Sequence, residues 1–219
     1  MNKNALVIFA REPELGCVKT RLAKDLGDEL TLRLYKAFVK DVTYIVQTLV
    51  DVDLYIYYVG LESPVMFLQE FSQSFILRKQ NGSDLGARMK DAFDCLFGEG
   101  YEKVLLVGTD CITFSKEDLS TAFDQLNTND CVLGPTFDGG YYLIALKEMK
   151  DILFEDIPWS TECVFDMTQK YLLNMNQSTY LLDPKDDIDD IKTLRVVQKK
   201  LNFKVNMTHS TQILDKLQL

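Results

Sequence analysis

The chain has 219 residues, enough to bury a substantial core without disulfides or metal staples, and 47% of them are hydrophobic against 26% charged. With 33 acidic residues against 24 Lys and Arg its formal net charge is −9, which argues against a nucleic-acid polymer or an anionic membrane surface as partner. The five cysteines are odd in number and form no CxxC pair, so neither a zinc site nor a disulfide framework is indicated, and a reducing, cytoplasmic setting is expected.

The first ten residues, MNKNALVIFA, lack the long apolar segment and small-residue cleavage site of a signal peptide, and no stretch approaches a membrane span. Residues 4–10 form a continuous apolar run bounded by polar residues, the pattern of a buried strand. Apolar side chains then recur at helical spacing over 28–50, with Asp28 as the expected N-cap after Gly27. Strand, helix and strand follow over 53–59, 63–71 and 74–79, and a further helix over 83–97. Residues 102–108 (EKVLLVG) are the cleanest buried strand, and 115–126 a helix opened by a capping box from Ser115 to Asp118. Strands at 130–135 and 140–146 are joined through TFDGG. Helix 161–173, strand 178–183 and helix 188–201 complete the pattern. Residues 202–219 are a tail, read as a last helix that either docks on the domain or pairs with a second subunit in a homodimer.

Alternation of strands and helices predicts an α/β fold with a largely parallel sheet covered on both faces, organised as one domain over residues 1–201. In such sheets ligands lie at the carboxyl ends of the strands. The informative loops therefore follow residues 10, 108 and 134.

The first loop, REPELGCVKTRLAK, gathers Lys19, Arg21 and Lys24 within six residues of an otherwise acidic chain, with no acid between them. Gly16 lets the backbone approach a ligand, and Lys19 and Arg21 offer a point charge and a bidentate fork for phosphate oxygens. Neither a Walker A loop nor a GxGxxG fingerprint is present. Cations at a helix start oppose its dipole, which favours an anionic ligand over a merely solvated basic face. Asp110, just beyond the best strand, either caps the next turn or holds a hard cation such as Mg²⁺. Asp138, Gly139 and Gly140 form a hairpin turn that also permits close ligand approach. Five acids, Asp183, Asp186, Asp187, Asp189 and Asp190, crowd the entry to the 188–201 helix as cap and first turn, or as a second carboxylate for the same metal. Trp159 is the only tryptophan, and Ser160 and Thr161 offer a helix cap. The lone His209 sits in the tail, so no Ser-His-Asp or Cys-His arrangement can be assembled.

Taken in order, FAR-x-P-x-x-G-x-V-K-T-R-L, DLGARM, VGTDC, GPTFDGGYYLIAL, IPWST and DIDDIKTL resemble the bacterial glycosyltransferase-A-like proteins described as radical-SAM- or selenodomain-associated transferases, in the nucleotide-diphospho-sugar transferase superfamily. The resemblance spans about residues 5–195. More distantly the KTRL element and strand-end Asp resemble phospholactate guanylyltransferase and the molybdenum-cofactor nucleotidyltransferases. Leu15 and Ile112 stand where this family usually has proline, and Ala145 where glycine is common. The resemblance implies a Rossmann-like GT-A fold that binds a nucleotide through Arg11, Gly16, Lys19, Arg21 and Asp84. It implies an Mg²⁺ or Mn²⁺ ion on Asp110 with Asp187 or, preferentially, Asp189 approaching from the last helix. Asp138, Gly139, Gly140 and Trp159 would line the acceptor side, with Lys19, Arg21 and Asp110 carrying the chemistry. Three activities are compatible: nucleotidyl transfer from an NTP to a phosphorylated small molecule, glycosyl transfer from a nucleotide-sugar, or nucleotide binding without catalysis. The basic loop favours the first, because a triphosphate demands more cations.

Overall fold

The computed structural model describes residues 2–60, 62–201 and 209–217. Its centre is a seven-stranded sheet in the order β3-β2-β1-β4-β6-β5-β7. The strands are β1 (Asn4–Arg11), β2 (Val52–Val59), β3 (Ile76–Lys79), β4 (Lys103–Gly108), β5 (Cys131–Pro135), β6 (Tyr141–Leu146) and β7 (Thr179–Leu181). All pairings are parallel except those of β6, which runs antiparallel to both β4 and β5. Eight described helices complete the α/β fold: α1 (Thr20–Leu26), α2 (Asp28–Val46), α3 (Val65–Phe71), α4 (Leu85–Gly98), α5 (Lys116–Gln125), α6 (Val164–Asn174), α7 (Ile191–Leu201) and α8 (Ser210–Leu214). No described helix is long and apolar enough to cross a membrane.

The continuous apolar strands follow from burial on both faces. Along β1, Leu6, Ile8 and Ala10 join Phe38 of α2, Leu119 of α5 and Leu194 of α7 on one side of the sheet. Ala5, Val7 and Phe9 join Met89 and Phe93 of α4 and Leu172 of α6 on the other. The same alternation splits Leu105 and Val107 from Val104 and Leu106 in β4.

Element boundaries shift where single residues redirect the chain. The basic loop forms its own helix, α1. Gly27, at φ 79°, ends it by donating to the Ala23 carbonyl and opens α2 by accepting from the Thr31 N–H. Asp28 is thus the first residue of α2 and not its cap. The Ser115–Asp118 capping box forms as the sequence predicts. α6 begins at Val164, later than expected, because Ser160 takes a left-handed φ of 65° and Thr161 accepts from Cys163 N–H ahead of the helix. α7 begins at Ile191, because Asp190 caps it by accepting from the N–H groups of Lys192 and Thr193, each at 2.9 Å.

The described part of the tail lies on the domain. Buried Asp41 in α2 accepts from the N–H groups of His209 and Ser210 at 3.0 and 2.9 Å, and Leu214 is buried. Residues 202–208 lie outside the described residues.

Asp130 fastens the start of β7 to that of β5. It accepts from Ser178 Oγ at 2.7 Å and Ser178 N–H at 2.9 Å, and pairs with Lys147 at 2.9 Å. The Ser178 hydroxyl, then Lys147, hold its pKa down at about 2. The folded state therefore binds the proton more weakly than the unfolded chain. The stabilisation is full above the ordinary value of 3.8 and is lost as pH falls through about 2. Asp130→Asn is expected to cost about 1 kcal/mol at neutral pH, a modest figure for a solvent-accessible pair. Urea midpoints of variant and wild type should converge as the pH falls towards 2.

Candidate active site

The order β3-β2-β1-β4 makes β1 and β4 neighbours, with Phe9 level with Gly108. The chain leaving β1 proceeds to β2 on one side, while β4 is reached by crossing back, so the crevice outside their carboxyl ends is a topological switch point. A cleft of about 960 Å³ opens there. Its wall runs from Gln80 and Val59, past Arg11 and Asp110, to Thr136 and Gly140.

Tyr35 of α2 sets the spacing of the two strand ends. Its buried hydroxyl accepts from Arg11 N–H at 2.9 Å, donates to the Arg11 carbonyl at 3.0 Å and lies 3.4 Å from the Thr109 hydroxyl. Burial first, then the charge of Asp110, pushes its pKa to about 12, so it stays a neutral donor. The loop after β4 is tied to the segment before α7 by Ile188 N–H donating to the Asp110 carbonyl at 3.0 Å. Ile188 is fully buried, and the flanking Asp187 and Asp189 both line the cleft.

Lys19 lies at the centre. Its Nζ is 2.6 Å from Asp110 Oδ1 and 2.9 Å from Asp189 Oδ1, and its side chain is only 5% exposed. Burial alone would depress its pKa, but Asp110, Asp189 and Asp187 together raise it, so the ammonium is permanently charged. Lys19 also occupies the N-cap of α1 at φ 47°, a left-handed conformation that costs a non-glycine residue about 1 kcal/mol. Its side chain caps nothing and is turned into the carboxylates. Asp187 is half-buried; its backbone carbonyl accepts from Asp189 N–H at 3.1 Å, but its carboxylate makes no hydrogen bond or ion pair among the described residues. Burial, reinforced by Asp110 and opposed by Lys19, holds its carboxyl well above the usual range.

Oxygens of Asp110, Asp187 and Asp189 lie within 4.8 Å of one another. Three carboxylates, one without a protein partner, are a donor set of the kind Mg²⁺ or Mn²⁺ takes. Asp187 and Asp189 reach the cluster from the segment preceding α7, and not from that helix itself. Within the acid-rich run the roles separate, with Asp190 capping α7, Asp186 paired with Lys200, and Asp187 and Asp189 facing the cleft.

Arg21 is 72% exposed and only 3.8 Å from Asp189 Oδ2, so its guanidinium can turn to a ligand. Arg11 lines the cleft and makes no ion pair among the described residues. Gly16 and Asp84 do not line it. Gly16 supplies a left-handed turn at φ 74°, and Asp84 caps α4 by accepting from Ala87 N–H at 2.9 Å. From the same DLGARM stretch Leu85, Arg88 and Met89 line the cleft instead. Their i, i+3, i+4 spacing is the signal that could have found Arg88. Gln80 and Tyr35 carry no comparable motif.

On the far side Asp138 accepts from the Thr136 hydroxyl and from Gly140 N–H, which shapes the hairpin turn. Gly140, Asp138 and Trp159 line the cleft. Gly139, at φ 90°, does not; it docks the hairpin on the first turn of α6, its carbonyl accepting from Phe165 N–H. A Cβ there would sit 2.0 Å from the Glu162 carbonyl oxygen. Gly139→Ala is expected to destabilise the protein by about 3 kcal/mol, overpacking adding to left-handed strain, as a shift in denaturant midpoint would register. Trp159 packs edge-on to Tyr141 and against Gly86.

A family model described as "uncharacterized protein conserved in bacteria (DUF2064)" matches residues 42–161. No curated protein sequence matches the chain. The structure is similar to that of a Desulfovibrio desulfuricans G20 protein provisionally described as a nucleotide-diphospho-sugar transferase, with 30% identity over 99% of this chain and 95% of that one and a TM-score of 0.92. The fold is shared with 4-diphosphocytidyl-2C-methyl-D-erythritol synthase of Anaerococcus prevotii DSM 20548, at 8% identity and TM-score 0.56 over 92% of this chain and 100% of that one. It is shared too with CMP:2-keto-3-deoxy-manno-octonic acid synthetase in complex with CTP, at 9% identity and TM-score 0.53 over the same shares.

Proposed function

Since the chain belongs to the family described as "uncharacterized protein conserved in bacteria (DUF2064)", we propose, from the charges of its cleft, that it is a transferase acting on a nucleotide-activated donor, and that it moves a nucleotidyl group from an NTP to a phosphorylated small molecule. The observation that carries this reading is the buried Lys19 among three carboxylates at the β1–β4 switch point, with Arg21 and Arg11 beside it. In this reaction an acceptor oxygen attacks the α-phosphorus, the bond to the bridging oxygen of the β-phosphate breaks, and pyrophosphate leaves. Such transfer needs charge neutralisation and in-line placement more than covalent chemistry. Lys19 and Arg21 would take the negative charge that grows on the pyrophosphate, and Arg11 would orient the phosphate chain. Asp138, Gly140 and Trp159, across the cleft, would receive the acceptor. Asp110, Asp187 and Asp189 would hold Mg²⁺ or Mn²⁺, whose charge would offset that of the phosphates.

The provisional description of the Desulfovibrio protein favours a second reading, glycosyl transfer from a nucleotide-sugar. The two differ in their products. Incubated with each NTP and a panel of phosphorylated sugars and acids, the protein is expected to release pyrophosphate. Release of a nucleoside diphosphate from a nucleotide-sugar would establish the second reading instead. Failure to bind or turn over either donor class would overturn both.

A further inference from the structure

Lys19 holds two places that cannot be filled together. As a phosphate ligand it must reach into the cleft, yet its Nζ rests 2.6 Å from Asp110 Oδ1 and 2.9 Å from Asp189 Oδ1. A divalent cation would bind those oxygens at about 2.1 Å, in contact with the ammonium and repelled by it. The lysine therefore occupies the seat that the metal needs. The Asp187 carboxylate, which has no hydrogen bond or ion pair among the described residues, is open to an incoming cation.

We propose that Lys19 is the resident counter-ion of the Asp110–Asp187–Asp189 cluster and that metal and nucleotide enter by exchange: phosphate oxygens draw the ammonium off the carboxylates, and the divalent cation takes the oxygens it vacates. The proposal rests on the reading of the cleft as a nucleotide site and adds its order of loading. The means are local. The Lys19 backbone is fixed at the head of α1, while its four-carbon stem can swing the charge without moving the helix. The carboxylates stay in place because Ile188 N–H holds the Asp110 carbonyl, a backbone bond indifferent to which cation is bound. Metal and phosphate thereby promote each other's binding, as linkage requires. The metal-free protein does not leave three carboxylates facing one another uncompensated.

Mn²⁺ binding to the full chain, read from the paramagnetic resonance of the free ion, tests the exchange. Without any anion, Lys19→Met is expected to bind Mn²⁺ about tenfold more tightly than wild type, because a competing charge at contact distance is gone. Equal or weaker binding would overturn the proposal. Should that variant fail to fold, the wild-type protein gives the second readout. Inorganic phosphate, with its solution complex subtracted, is expected to tighten Mn²⁺ binding, and indifference to phosphate would overturn the exchange. Failure of the nucleotide reading looks different: both Mn²⁺ effects persist and support the exchange, while no nucleotide binds.

Discussion

Replacing Lys19 by alanine is expected to weaken nucleotide binding about a hundredfold, the loss of one or two charge-assisted hydrogen bonds to phosphate. The same change removes the only cation in contact with Asp110 among the described residues and leaves Asp189 with the distant Arg21. Breaking a fully buried ion pair costs about 3–5 kcal/mol. Asp110 and Asp189 are 40% and 43% exposed, so water screens part of the repulsion and about 2 kcal/mol is the expected loss of stability. The signature of Lys19 is the combination: weaker nucleotide, lower stability without metal, and tighter Mn²⁺. A lysine that served structure alone would show the last two without weaker nucleotide binding. Calorimetric titration with the preferred NTP and a urea melt, each with and without Mn²⁺, separate these effects.

Asp110→Asn is the second large effect, with turnover expected to fall by about 10²–10³-fold, the size seen when one preorganised electrostatic group is removed from a reacting centre. The substitution keeps shape and volume. It also keeps the bond from Ile188 N–H, which uses the Asp110 backbone carbonyl. Lys19 retains Asp189 at 2.9 Å, so the fold should survive. The loss should be concentrated in kcat, with a raised requirement for metal, because a carboxylate proposed to hold the cation is gone while Arg11, Lys19 and Arg21, proposed to bind the phosphates, remain. An unchanged kcat would remove Asp110 from the machinery. Loss of folding would identify it as a structural partner of Lys19.

Much of this arrangement can be read from the residues. Buried strands declare themselves as unbroken apolar runs, and β1 and β4, on whose ends the site rests, are the clearest two. The basic loop after β1 and the Asp after β4 can be assigned to one edge of the sheet from sequence, because both follow parallel strands. What sequence could not supply was contact. Lys19 reads as a cation waiting for phosphate, and its engagement with Asp110 and Asp189 depends on the β1–β4 pairing and on a segment 170 residues away. Asp187 and Asp189 are one choice among five acids. Their common orientation follows from Ile188 between them, whose burial pins the segment. Asp84 draws attention as the charged head of DLGARM, yet an Asp at that place serves the helix as cap and Arg88, one turn on, lines the cleft. Tyr35 carries no motif. Its role arises only when α2 packs beneath both strand ends.

Direct binding tests the account most closely. Calorimetric or thermal-shift titration of the wild-type protein with the four NTPs and a set of nucleotide-sugars, in Mg²⁺ or Mn²⁺, should single out one nucleotide. Saturation at a hundredfold excess over Kd should stabilise the fold by about 2.7 kcal/mol, and at the same nucleotide concentration Lys19→Ala should cut the effect to about 0.4 kcal/mol. A wild-type protein that ignores every nucleotide and nucleotide-sugar with metal present would contradict the assignment of this cleft to phosphates.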